Sequence, residues 1–365
     1  MKIIGCDFHP SFQQIAIVDT ETGEEIQMKL PHSNGEAQRF YESLRGEVLV
    51  GVESTGNMRW FQRLLARLEF RLLIGDATAI CASNPRKQQT DKRDAQHILK
   101  LLLEDRFPAI WVPTMDELDL RQLLKHRHTL VQMRTRVKNQ LQHIAMNEGF
   151  QKKRKLWTEE GMEFLVNLKL PPWTQRRRDD LLKILEELNG HIRELSQAVE
   201  EEAEKQRLVR LLMTHPGVGP ILALATVLTL GNVHRFRNGK HVSSYVGLIP
   251  QEASSGSRRW LGAISKQGNS FMRFLLVQAG IMAARKDAEL GRFYKRLAHK
   301  KHHGVAKVAV ARKLLVRLYW MLRTNTGYPE VVVRMQGSSS HSVAEVTAGT
   351  LSGRPASRQG TNLAP

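Results

Sequence analysis

Four carboxylates and one serine-rich loop carry the chemistry this chain can do. Asp7 stands in GCDFH, Glu53 in GVESTG, and Asp91 and Asp94 in TDKRDAQ. A spacing of three residues sets Asp91 and Asp94 on one helical face, with Cβ atoms about 5–6 Å apart. Carboxylates gathered in this way can hold two hard cations about 3.5–4 Å apart, the arrangement used for in-line phosphoryl transfer. Each acid alone is equally well a turn cap, or an ion-pair partner of Lys92 or Arg93 on a solvated face. Four together in a basic chain favour a metal site. The second stretch, residues 243–269, reads SSYVGLIPQEASSGSRRWLGAISKQGN. An apolar run and Pro250 lead into Ala253-Ser254-Ser255-Gly256-Ser257, with Arg258, Arg259, Lys266 and Arg273 close behind. Clustered hydroxyls can bond phosphate oxygens or supply a nucleophile, while the cations stabilise charge on a phosphate under attack. A solvated Ser/Gly turn is the plain alternative for this loop.

The acids need a scaffold that brings strand ends beside a helix start. Residues 2–7, 14–19 and 26–30 read as strands, with a turn at Glu21-Thr22-Gly23-Glu24. A helix over 35–44, a strand over 48–52, a helix over 60–68 and a strand over 71–74 follow. This order predicts a mixed sheet with helices on its faces, Asp7 ending the first strand and Glu53 the fourth. Thr90 is positioned to cap a helix that turns Ile98, Leu99, Leu102 and Leu103 inward.

Beyond the sheet the pattern becomes helical. A long helix over 116–150 buries Leu118, Leu123, Leu130, Val137, Leu141 and Ile144. Its other face presents Lys125, Arg127, Arg134, Arg136 and Lys138, and Lys152 and Lys153 lie just past its end. A second long helix, over 176–212, is expected to pack antiparallel to the first, and the pair is suited to self-association as a coiled coil. The turn in HPGVGP, with Gly217 and Gly219, resembles a helix-hairpin-helix, whose backbone amides hold phosphate without reading sequence. Apolar helices over 271–284 and 305–322 build the last core. Between them Arg292, Lys295, Arg296 and the His302-His303 pair form a basic surface. The expected division is 1–114, 115–212, 213–330 and a disordered Ser/Gly/Thr-rich tail, 331–365.

The charge balance narrows the partners. With 55 Lys+Arg against 36 Asp+Glu, the formal net charge is +19. So basic a chain is expected to meet a polyanion, nucleic acid before membrane, since it has no long uncharged apolar run. The 2 cysteines make neither a disulfide framework nor a zinc site. A cytoplasmic, nucleoid-associated protein is expected.

The whole pattern resembles the IS110 family of insertion-sequence transposases (the IS110/IS1111 group). GCDFH, GVESTG and TDKRDAQ are similar to that family's RuvC-like DEDD site, and HPGVGP, SYVGLIPQEASSGS and ISKQGN to its transposase domain. The likeness runs over residues 2–325. It implies an α/β plus α architecture: a RuvC-like (RNase H-like) domain, a helical coiled-coil segment and a mainly helical transposase domain. It also implies that Asp7, Glu53, Asp91 and Asp94 hold Mg²⁺. Ser255, immediately before glycine, would be the nucleophile that forms a 5′-phosphoserine intermediate, with Ser254 as its neighbouring rival. The implied partners are donor and target DNA, a bridge RNA that pairs with both, and further copies of the chain in a dimer or tetramer. In such an oligomer the acids of one subunit would meet the serine of another. Two other readings stay open, a junction resolvase or nuclease without a covalent intermediate and a catalytically silent nucleic-acid-binding protein. A trapped protein–DNA adduct separates the first reading from the resolvase, and metal-dependent cleavage separates both from the third.

Overall fold

The computed structural model describes residues 1–84, 90–150, 155–253 and 260–330. Lys152, Lys153, Ser254, Ser255, Arg258, Arg259 and the expected tail lie outside them. The chain divides into two compact units, one ending at Pro113 and the other beginning at Thr114.

The first unit is built on a five-stranded sheet of β1 (Lys2–Phe8), β2 (Phe12–Asp19), β3 (Glu25–Pro31), β4 (Val48–Glu53) and β5 (Arg71–Gly75), in the order β3-β2-β1-β4-β5. β1 pairs antiparallel with β2, and β2 with β3. On the other side β1, β4 and β5 run parallel. Helices α1 (Glu36–Ser43) and α2 (Arg59–Arg67) supply the two crossovers of this parallel half, and α3 (Ala77–Ser83) follows β5. Alternation along each strand fills both faces. Ile4, Cys6, Phe8, Val50 and Val52 pack with Tyr41, Phe61 and Leu65 from α1 and α2. Ile3 and Ala16 pack on the opposite face with Ala95, Ile98, Leu99 and Leu102 of α4 (Asp91–Leu103).

α4 lies unusually close to the sheet because two glycines vacate its path. A Cβ on Gly5 would stand 2.3 Å from both Ala95 O and Leu99 N, and one on Gly51 would stand 2.7 Å from Leu102 Cδ1. The two glycines face each other in the β1–β4 register. Helix backbone therefore rests directly on strand backbone.

The second unit is helical: α5 (Met115–Asn147), α6 (Glu159–Asn167), α7 (Pro172–Lys205), α8 (Arg207–Met213), α9 (Pro220–Leu230) and α10 (Gly239–Tyr245). A hairpin of β6 (Pro250–Glu252) and β7 (Leu261–Ile264) precedes α11 (Ser270–Lys286), α12 (Ala288–Lys300) and α13 (His303–Thr324). α5 opens on a capping box, Thr114 Oγ1 accepting from Glu117 N while Glu117 Oε2 accepts from Thr114 N. α5 and α7 are antiparallel, since Arg127 Nε donates to Ser196 Oγ and Arg134 Nη1 to Asn189 Oδ1. The helix expected over 176–212 differs from the one observed. It starts earlier, with Pro172 in its first turn, and breaks at Gln206, whose φ is −103° and ψ 113°. The break turns the fully buried Val209 and Leu212 into the core built by α9, α11 and α13. A second core, at the far end of the α5–α7 pair, joins Val137, Leu141 and Ile144 to Leu156, Leu165, Leu181 and Leu185.

Two further features add to the sequence reading. The basic run is largely helical, carried by α12, whose cap Asp287 accepts from Leu290 N at 2.7 Å. His302 caps α13, its Nδ1 accepting from Gly304 N at 3.1 Å. Among the described residues no helix is long and apolar enough to cross a membrane.

A substitution at the helix–sheet contact tests this architecture. Gly5→Ala pushes a methyl into the α4 backbone, where no flexible side chain can yield. Overpacking of this kind costs about 1–3 kcal/mol or more. Thermal unfolding is expected to show a lowered midpoint, with a milder drop for Gly51→Ala, whose clash is with a leucine side chain.

Candidate active site

Register and alternation place the first two acids. Cys6 opposite Val52 is the last parallel pair of β1 and β4, and the next residues are Asp7 and Glu53. Asp7 shares a strand face with Ile3 and Gly5, and Glu53 shares one with Leu49 and Gly51, so both lie on the side that α4 covers. α4 runs antiparallel to β1. Ala95 and Leu99 lie over Gly5, which leaves Asp91, the first helical residue, at the carboxyl ends of the strands. Thr90 caps the helix as expected, Oγ1 accepting from Arg93 N at 3.4 Å. Asp94 falls one turn further along.

Three of the carboxylates are shifted by burial and by the charges around them. Burial lifts the Glu53 carboxyl above its ordinary value, and the charges of Asp7 and Asp94 add to the rise. Burial is also the main cause for Asp7. His9 opposes the shift, and Asp91 and Asp94 reinforce it. Asp94 is raised by burial and then by Asp91, with His97 and His9 pulling the other way. Such mutual repulsion is the electrostatic signature of a site short of positive charge.

His9 is the residue that sequence reading missed. Its Nε2 lies 3.1 Å from Asp7 Oδ2 and 3.6 Å from Asp91 Oδ1, and its ring stacks on Phe12 with centroids 4.6 Å apart. One ligand atom each from Asp7, His9 and Asp91 falls within 4.8 Å of the others, a grouping that can hold a metal ion. The clue was in GCDFH, where alternation gives Asp7 and His9 a common side. The donor set is mostly carboxylate oxygen, which suits a hard divalent cation better than a soft one.

The expected nucleic-acid contacts are distributed less simply. Arg136 does not share a face with Arg134 and Lys138, because residues two apart on a helix point in nearly opposite directions. Arg134 reaches Asn189 on α7, Lys138 lies over the Trp157 ring at 4.4 Å, and Arg136 is exposed. Burial, and Arg134 beside it, lower the Lys138 ammonium below its ordinary value. Gly217, with φ 90°, brings the turn against α11, a Cβ there standing 2.6 Å from Ala283 N. Gly219 caps α9 and meets nothing within 4 Å, so its side of the turn is open to a ligand. Lys266 is exposed at φ 55°. Arg273 braces the base of the hairpin, Nη1 donating to Val246 O, Gln267 O and Gly268 O. The serine loop joins β6 to β7 in sequence.

An acid cluster at the rim of a mixed sheet, followed by a basic helical unit, is the make-up of a DNA transposase that uses carboxylates. Residues 4–148 match the profile of DEDD transposases of the IS110 type, and residues 209–295 match the profile described as transposase IS116/IS110/IS902 family. The chain belongs to this IS110 family of transposases, enzymes that recombine DNA. It is 28% identical over 251 residues to the transposase for insertion sequence element IS1111A of Coxiella burnetii, covering 66% of this chain and 68% of that protein. A probable family 20 transposase of Pseudomonas aeruginosa is 23% identical over 334 residues, 89% of this chain and 98% of the relative. The pilin gene-inverting protein of Moraxella bovis is 26% identical over 247 residues, 66% and 67% of the two chains. The DEDD match of residues 4–148 in this chain implies dependence on a divalent metal.

Repulsion among the acids gives a direct measurement. With their values raised on folding, Asp7, Glu53 and Asp94 add stability below their unfolded values, near pH 4. That contribution is lost as pH rises through the folded values, so at neutral pH the metal-free cluster is a net cost. Asp94→Asn is therefore expected to raise the thermal midpoint of metal-free protein by a few degrees at pH 7. It should also reduce the further gain on adding a divalent cation. An equal cation-induced gain in both proteins would show that Asp94 takes no part in the site.

Proposed function

We propose that this transposase excises and inserts its element by a serine-nucleophile mechanism, and that the convergence of Asp7, Glu53, Asp91 and Asp94 on one sheet rim carries this reading. The strand order, antiparallel on one side of β1 and parallel on the other, supports assigning the first unit to the RuvC-like (RNase H-like) folds. A four-part organisation is proposed, with residues 1–114 as the metal-binding domain and 115–212 as the helical segment. Residues 213–330 form the transposase domain, and 331–365 a tail. The carboxylates fit Mg²⁺, with His9 lying between Asp7 and Asp91. A cation bound there supplies Lewis-acid stabilisation of charge on the phosphate and the oxygens around it.

The chain's own groups then have distinct tasks. Ser255 Oγ gives up its proton and bonds to phosphorus as the bond from phosphorus to the 3′ oxygen breaks. The 3′ oxygen leaves as a hydroxyl, and the DNA stays linked as a 5′-phosphoserine. The bond energy is retained for rejoining, since reversal by another 3′ hydroxyl releases the serine. Arg258, Arg259 and Lys266 would balance the phosphate charge. The open amides at Gly219 and the cations Arg134, Arg136, Lys138, Lys152 and Lys153 would hold nucleic-acid backbones. Sequence choice is assigned to a bridge RNA paired with donor and target DNA, in a homo-oligomer acting on the nucleoid.

Ser255→Ala tests the reading. Labelled DNA run on a denaturing gel should show a protein-linked band with the unaltered protein and none with the variant. Ser254→Ala should retain at least part of the activity. Removing one hydroxyl leaves little reason for unfolding, and a circular-dichroism melt checks this. An adduct that maps to Ser254, or that survives Ser255→Ala, reassigns the nucleophile. Metal-dependent cleavage with no adduct at all would make the enzyme a hydrolytic resolvase.

A further inference from the structure

The second unit contains a cavity of about 660 Å³ that the serine mechanism leaves unused. It opens between α5, α9 and the start of α11, and Ala225, Leu228 and Leu124 form its apolar floor. Phe271, Phe274 and His128 make one wall, the His128 ring lying 4.8 Å from Phe271 and 4.9 Å from Phe274 between centroids. Phe274 is 44% exposed, an aromatic face left bare in a well-packed unit. The same three rings also wall a second hollow of about 250 Å³, which runs to Gly219 and Pro220 at the open turn and to Arg127.

The polar lining is of one sign. Arg121, Lys125 and Arg127 border the two hollows, and no carboxylate lines either among the described residues. Arg121 is oriented by donating to Leu228 O. The N-terminus of α11 faces the larger hollow through Asn269 and Ser270, its 17 residues aligning peptide dipoles towards a bound anion. Gln132 and Thr129 complete the rim. Gln132 Nε2 lies 3.1 Å from His128 Nε2 and donates to it when the ring is neutral. Burial, and then Arg127, lower the His128 imidazole below its ordinary value, favouring that neutral form.

We infer that this cavity seats an unpaired nucleotide of a nucleic-acid strand, its base against Phe274 and Phe271 and its phosphate between Lys125 and the α11 N-terminus. The inference rests on the nucleic-acid reading above and adds a site to it. The volume falls within the range of about 300–1,000 Å³ usual for small-ligand pockets, and the chemistry is that of single-strand binders, which stack bases on aromatic rings and track phosphates with cations. A base inside a duplex keeps both faces covered and cannot use it. The open turn at Gly219 lies where an adjoining phosphate would fall, so the strand path runs from the turn to the cavity.

Fluorescence anisotropy on the full chain tests this with labelled single-stranded DNA, the equivalent RNA, and the matching duplex. Phe274→Ala should weaken binding of at least one single strand roughly fivefold or more, the loss of one base stack. Phe274→Trp should restore it, and duplex binding should not change. Whichever single strand loses affinity identifies the source of the nucleotide. Lys125→Ala should lower the salt slope by about 1, while Phe274→Ala leaves that slope intact. Equal losses for duplex and single strands would overturn the inference, as would undiminished binding of both single strands by Phe274→Ala. Loss confined to a free mononucleotide, such as AMP used as competitor, would overturn it too. The adduct assay at Ser255 is separate. Phe274-dependent strand binding without an adduct would sink the serine mechanism alone, and an adduct with Phe274-independent binding would sink this inference alone.

Discussion

The direct contact between the backbone of α4 and the backbone of β1 is the constraint that brings the four acids to one rim. Two carboxylates on strands and two on a helix come together only if helix and sheet approach more closely than side chains usually allow. Gly5 provides that approach, and Gly51 on the neighbouring strand extends it. Ile98, Leu99 and Leu102 then bury against Ile3 and Leu49, so apolar burial holds the helix down while like charges at its end push it away. The first effect wins because it is spread over several side chains, and each buried leucine or isoleucine contributes about 1.5–3 kcal/mol. Repulsion among partly solvated carboxylates is screened. An energetic tension is thus built into the acid cluster, one that a bound divalent cation would relieve.

Much of this was legible in the sequence. Strand positions, the cap at Thr90 and the placement of all four acids follow from alternation and capping, which are local properties of the chain. The reading failed where tertiary packing decided the outcome. Nothing in the run of Glu and Lys before Gln206 signals a break, since every residue there favours a helix. The break exists because Val209 and Leu212 have a core to enter. Arg134 and Lys138 counted as part of a basic face until the partner helix and Trp157 took them up. His9 was given no role, although its position two residues after Asp7 already put it on the acidic side.

The basic side chains show how little a charge count says about roles. Arg273 ties together three carbonyls beneath the hairpin. Arg178, within an Arg-Arg-Arg run, is buried and donates to Leu165 O, Val166 O and Leu168 O at the end of α6. Arg317 is buried beside Asp287 and Glu289, where it secures α13 to α12. These cations serve the protein's own carbonyls and carboxylates. The positive surplus available to nucleic acid is smaller than the formal charge and more localised.

The α5–α7 pair has a mechanical consequence. Helices of 33 and 34 residues extend about 50 Å, and each takes part in two separate apolar cores. Between those cores, bonds from Arg127 to Ser196 and from Arg134 to Asn189 frame the buried Ile192. Such a middle fixes the alignment of the two helices but contributes less cohesion than either end. The outer core with α6 thus rests on apolar contacts of its own, so a local loosening there need not reach the inner core.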